Sequence, residues 1–200
     1  MIFNKKKEIK NYLQQNGILK LNKLEQLIKV TKIVSCIPWG EGRTIEETLV
    51  TKKVGTCTGK HLVLQACYDE LGITNQSVVC TFHWIDESIK YPQHIKDILN
   101  KGVWEHGHNF VQIKKGNQWI DVDINYNPKL APYGFRTFPQ NWDGQTPFIA
   151  VKKIIRRWDN PNMLNFKKEL IDSLDQIIKE RRGRFLKELI SWANTLNKNI

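Results

Sequence analysis

The sequence lacks any apolar run long enough for a signal peptide or a membrane span. Its first ten residues hold no apolar run of signal-peptide length, so no leader and no membrane partner are expected, and the cytoplasm is the expected location. It has no CxxC and no paired zinc spacing among its four cysteines, Cys36, Cys57, Cys67 and Cys80. A disulfide framework or zinc ribbon is thereby excluded, and reduced thiols are expected. No segment resembles a calcium-binding loop. No internal repeat or low-complexity linker divides the 200 residues, which read as a single domain.

What is present is material for a real core. Hydrophobic residues make up 40% of the chain, with seven tryptophans and eight phenylalanines. The charge is one-sided: 31 Lys and Arg against 20 Asp and Glu give +11. Such a balance suits a polyanion or an acidic substrate. No nucleic-acid motif accompanies it, so no nucleic-acid partner is expected although the chain is basic. The positive residues gather towards the ends (5–7, 152–157, 181–187), away from the central motifs.

The pattern predicts helix over 5–16, stopped near Gly17, then a helical stripe from Leu19 to Val30. Thr44-Ile45-Glu46-Glu47 reads as a capping box opening a short helix to about 53. Val54-Gly55-Thr56-Cys57 leads into an apolar helix over about 57–71, stopped at Gly72. Residues 77–84 read as a strand, and Pro92 opens a short helix to about 100. Residues 108–115 and 118–124 form a hairpin about Gly116-Asn117. A strand is expected at 148–152, and from about 163 two helices divided near Gly183.

A cysteine at a helix start meets unpaired N–H groups and the helix dipole, which favour its thiolate. Cys57 is therefore the candidate nucleophile, and Cys36, Cys67 and Cys80 are expected in the core. With a two-residue turn, hairpin partners sum to 233, so Gln112 faces Asp121 and Phe110 faces Asp123. His106, His108, Phe110 and Gln112 then share a face with Asp121, Asp123 and Asn125. Asp123 is the diagonal neighbour of His108. A nucleophilic thiol needs an imidazole base, and the imidazole needs a group to orient it. Cys57, His108 and Asp123 supply these roles, with Asn125 or Asp121 as alternative orienting residues. His106 and His108 with Asp121 or Asp123 would otherwise make a metal site, but no metal and no cofactor is expected. His61 reads as a polar structural partner. Trp39 and Trp104 are candidates for an oxyanion donor or a cleft wall.

Gly55-Thr56-Cys57 with its following helix, His108-Asn109-Phe110-Val111-Gln112-Ile113, and Trp119-Ile120-Asp121-Val122-Asp123 together resemble the transglutaminase-like superfamily. The aspartate four residues after the tryptophan is Asp123. Ile124 stands where the superfamily usually has proline, and Gln112 where it often has glutamate. The resemblance spans about 37–127. It implies an α+β, papain-like core with the cysteine-bearing helix packed on an antiparallel sheet, and helical extensions at about 1–35 and 160–200. It implies a cysteine-nucleophile acyl transfer from an amide or peptide bond through a thioester, on a protein, peptide or small amide substrate. Hydrolysis is expected over crosslinking. The rival expectation is a non-catalytic binding module that keeps the fold.

Overall fold

The computed structural model describes residues 3–198. Two helices open it. In α1 (Lys5–Gln15), Asn4 caps the first turn through Lys7 N–H, and Gly17 leaves with φ +66°. In α2 (Lys23–Ser35), Asn22 and Glu25 form a reciprocal capping box. That cap sets the start later than the apolar stripe suggests, leaving Leu19 outside the helix and 40% exposed.

The Thr44–Glu47 capping box is formed, with Thr44 Oγ1 accepting from Glu47 N–H and Glu47 Oε2 from Thr44 N–H. The turn it opens widens into a π-helix over Glu47–Thr51. Helix α3 (Cys57–Glu70) follows, with Thr56 as N-cap. Its ten buried residues are not confined to one stripe, as befits a central helix. α1 and α2 pack against it.

Four antiparallel strands form one sheet in the order β3-β2-β1-β4: β1 (Asn75–Phe82), β2 (His106–Lys115), β3 (Gln118–Val122) and β4 (Arg156–Asp159). α4 (Gln93–Leu99) connects β1 to β2. The β2–β3 register pairs Gln112 with Asp121 and Val111 with Val122, so partners do sum to 233. α3 covers the face bearing Val79, Val111 and Ile113. On the opposite face, Val78, Cys80 and Phe110 form a small cluster. Arg157 crosses it, its guanidinium 5.4 Å from the Phe110 ring centroid, to reach Asp121.

Two expectations about the C-terminal part are corrected. Residues 148–152 are not a strand. Phe148 makes one parallel bridge to Val122, and the Ala150 N–H then turns to the Asp123 carboxylate instead of extending a ladder. The fourth strand is β4, which pairs with β1. The last two helices, α5 (Met163–Asp172) and α6 (Gln176–Lys198), divide at 173–175, where Asp175 caps α6 through Ile178 N–H. Gly183 lies inside α6. A glycine only weakens a helix, and nothing lies within 4 Å of where its Cβ would be, so no contact forces a break. Cys36 is also corrected: it is exposed at the end of α2, whereas Cys67 and Cys80 are buried.

Candidate active site

The start of α3 is fixed by close packing of glycine against glycine. A Cβ on Gly59 would lie 2.4 Å from Gly42 O and 2.3 Å from Thr48 Oγ1. Thr56 N–H and Thr56 Oγ1 both donate to Gly42 O. Gly55 pairs with Trp39 in a single parallel bridge. Cys57 is thus held as the first residue of a helix whose position no ordinary side chain at 42 or 59 would allow.

His108, from β2, meets Asp123 just past β3. His108 Nε2 lies 2.7 Å from Asp123 Oδ2. Ala150 N–H (2.9 Å) and Asn125 N–H (3.1 Å) also donate to that carboxylate. With Nε2 engaged, Nδ1 is the imidazole nitrogen left for Cys57. Burial pushes the Cys57 thiol up, but the Lys167 charge, with the hydrogen bonding and charge of His108, brings it down to about 5. Burial alone would depress His108; the Asp123 charge and hydrogen bond, then Cys57, raise it to about 9. For Asp123, burial is outweighed by His108, and the carboxyl is held below its ordinary value. Each partner therefore favours the charged form of the other, thiolate beside imidazolium. The other buried thiols differ: burial lifts Cys67 to about 12 and moves Cys80 the same way.

His61 has a structural role. Its Nδ1 lies 2.7 Å from Cys57 O, and its Nε2 accepts from Ile124 N–H at 3.0 Å. Those bonds fix a neutral tautomer with the proton on Nδ1. Burial accordingly lowers its pKa to about 3. Asn109, the residue after His108, donates to Cys57 O (3.3 Å) and accepts from Thr58 Oγ1 (2.8 Å), tying β2 to the helix start.

Lys167 of α5 is the side chain at the candidate site that sequence reasoning missed. Its ammonium lies 3.0 Å from Cys57 Sγ, 3.1 Å from Thr58 Oγ1 and 3.3 Å from Asn109 Oδ1. It is 110 residues from Cys57, with no motif around it, so no spacing signal pointed to it. The helices expected as C-terminal extensions thus supply a wall of the site. The basic residues do not all stay away from the central motifs, since Arg182 of α6 lines the same cavity.

That cavity, about 320 Å³, opens where β1 ends and β2 begins, with Cys57, His108, Trp39 and Asn125 on its walls. Trp39 is a wall and not a free donor, because its indole N–H goes to Asn125 Oδ1 at 3.1 Å. Asn125 is therefore not the orienting residue for His108. Its Nδ2 has no partner among the described residues. Asp121 is not an orienting residue either: Arg157 grips both its oxygens at 2.9 Å, and Gln112 donates to it at 2.8 Å. Trp104 is also corrected. It packs against Phe185, 5.6 Å between centroids, in the cluster under α6 and does not line the cavity. Among the described residues no group of three His, Cys, Asp or Glu could hold a metal ion, and no helix is long and apolar enough to cross a membrane.

No family model and no curated protein matches the sequence. A solved structure of a TGase is similar over 84% of this chain, with 12% identity and a TM-score of 0.44. The alignment covers 44% of that chain, so the present chain spans less than half its length.

Proposed function

We propose that the chain is a cysteine-nucleophile acyl-transfer enzyme with a papain-like, transglutaminase-like core at about 37–127, and that all 200 residues form one domain. The observation carrying this reading is the buried Cys57 thiol at a helix start, with the Lys167 ammonium 3.0 Å from its sulfur, beside an imidazole bonded to a buried carboxylate. The three sequence blocks that resemble the transglutaminase-like superfamily support it through the same residues.

In this reading the Cys57 thiolate attacks the carbonyl carbon of an amide or peptide bond. The oxyanion that forms meets the Cys57 N–H at the first turn of α3 and Asn125 Nδ2, positioned by Trp39. A donor so placed contributes about 3 kcal/mol to the transition state. His108 gives its Nδ1 proton to the departing amine as the C–N bond breaks and the thioester forms. Neutral His108 then takes a proton from water, which attacks the thioester, and the released thiolate completes the cycle. Asp123 holds the ring by Nε2 throughout. Hydrolysis is proposed over crosslinking because the cavity is small and no calcium-binding loop is evident in the sequence.

The test is alkylation by iodoacetamide, followed residue by residue with mass spectrometry. Exposed Cys36 serves as the comparison in the same molecule. At pH 6 Cys57 should react about tenfold faster than Cys36, its greater thiolate fraction being partly offset by lower intrinsic nucleophilicity. His108→Ala should reduce the advantage to the part that Lys167 supplies. Labelling of Cys57 no faster than Cys36 would reject the reading and leave the binding-module alternative.

A further inference from the structure

The cavity beside Cys57 is electrically one-sided. Arg43, Lys167, Lys168 and Arg182 line it, and no aspartate or glutamate does. Lys168 is paired with Asp172 on the surface. Arg182 differs. It is half-buried, makes no hydrogen bond or ion pair among the described residues, and its Nε is sealed from solvent without a partner. Its neighbour Arg181 is spent on the end of α4, donating to Lys101 O (2.7 Å) and Gly102 O (3.1 Å). Holding a guanidinium partly out of water with no counter-charge is costly. Burial and the nearby Arg43 charge both work against its protonated form, and Cys57 favours it.

Two further polar atoms, in residues that line the cavity, are unmatched. Trp84 Nε1 and His106 Nδ1 are buried without a partner among the described residues, in side chains of which only 5% is exposed. Their rings meet at 5.2 Å between centroids. The site therefore holds a free guanidinium, an unpaired indole N–H and a neutral imidazole within one enclosure. The indole N–H would be relieved by an oxygen acceptor, and the guanidinium by a charged one.

We propose that the acyl donor accepted by this cavity carries an anionic oxygen group, a carboxylate or a phosphate, seated against Arg182. This deepens the cysteine-nucleophile reading and rests on it for the word donor. At about 320 Å³ the cavity is at the small end for ligand sites. It suits a side chain or small acyl group with one charged end. The charge would seat on the α6 side, and the carbonyl would face Cys57.

The full chain is alkylated in parallel with iodoacetate and iodoacetamide, with glutathione as reference. Both reagents attack the same thiolate, so the ratio of their rate constants cancels the pKa of Cys57. The expected ratio exceeds that of glutathione by about tenfold at low salt, and Arg182→Gln removes most of the excess. A ratio equal to that of glutathione, or one that Arg182→Gln leaves in place, overturns the proposal while leaving the nucleophile intact. Where Cys57 proves inert to both reagents, thermal melting of Cys57→Ser with glutarate or inorganic phosphate, at constant ionic strength, decides instead. A rise of about 2 °C or more with either anion, lost in Cys57→Ser/Arg182→Gln, supports the anion site although the nucleophile reading has failed. A rise with glutarate only assigns a carboxylate, and one with phosphate only a phosphate. No rise with either overturns the proposal.

Discussion

Lys167 sets its ammonium 3.0 Å from the Cys57 sulfur, from a helix that begins more than a hundred residues later in the chain. Its charge is the largest influence lowering that thiol, ahead of the imidazole. Lys167→Met should therefore move the acid limb of Cys57 alkylation upward by about one pH unit or more while leaving His108 bonded to Asp123. The iodoacetamide rate at pH 6 should fall by about twofold for a one-unit shift and by about tenfold for a two-unit shift. A limb that stays near pH 5 would show that His108 alone holds the thiolate.

Asp123→Asn keeps the size of the side chain and removes the charge that raises His108. The base limb near pH 9 should shift down towards the ordinary histidine range, and amide turnover should fall by about 10³–10⁴, as removal of a triad carboxylate does elsewhere. Asp121→Asn, two residues earlier on β3, should leave both limbs in place, because its partners are Arg157 and Gln112. Equal losses in the two variants would contradict the assignment of Asp123.

His61 and His108 both approach the Asp123 carboxylate, yet they should respond differently to substitution. His61→Leu breaks the bonds to Cys57 O and Ile124 N; Cys57 O keeps Asn109 Nδ2, and the buried Ile124 N–H is left unmatched. A loss of about 1–3 kcal/mol in urea denaturation is expected. The acid limb of Cys57 should stay in place, since His61 is not among the groups that shift that thiol. Movement of that limb by about a unit or more would make His61 a second proton carrier.

The balance of protons predicts acid lability. His61 stays neutral in the folded state down to about pH 3, and His106 is pushed in the same direction by burial and by Arg182 and Lys167. The unfolded chain protonates both near pH 6.5. Their contribution to stability is complete above pH 6.5 and is lost as pH falls towards their folded values. The slope approaches about 1.4 kcal/mol per pH unit for each. His108, raised to about 9, runs the other way: its contribution is complete below pH 6.5 and is lost as pH rises through 9. Between about pH 6.5 and 9 the His108 loss is offset by Cys57, whose lowered pKa contributes more as pH rises, so thermal melts should show a plateau there and a decline below pH 6.5. Replacing His61 should flatten the acid decline relative to the unmodified chain.

Gly59→Ala tests the packing beneath the nucleophile. The added methyl would fall 2.4 Å from Gly42 O, a backbone atom that is itself held by Thr56. Overpacking of this kind costs about 1–3 kcal/mol. A denaturation midpoint unchanged by the substitution would mean that this contact gives way freely.

The parts of this architecture legible in the sequence were the local ones. The hairpin register followed from a two-residue turn and strand alternation, and Gln112 does face Asp121. The capping box at Thr44–Glu47 and the stop at Gly72 are likewise set by residues a turn apart. Periodicity fails where side chains from distant segments decide the outcome. Phe148 pairs once with Val122, and then a carboxylate takes the Ala150 N–H. Trp104 has the composition of a cleft wall but turns towards Phe185. Lys167 and Arg182 lie on helices whose sequence gives no sign of what they face. Cys36 looked apolar in its surroundings, and only the termination of α2 there leaves it in water.

The span between Cys57 and Lys167 also carries a consequence for biosynthesis. A nascent chain that has emerged as far as residue 150 already holds Cys57, His108 and Asp123, together with the Phe148 and Ala150 backbone groups that brace Asp123. It holds neither Lys167 nor Arg182. On the ribosome the thiol gains its ammonium neighbour last, when α5 docks. The chain's most reactive group therefore reaches its full acidity only after the fold around it is nearly complete.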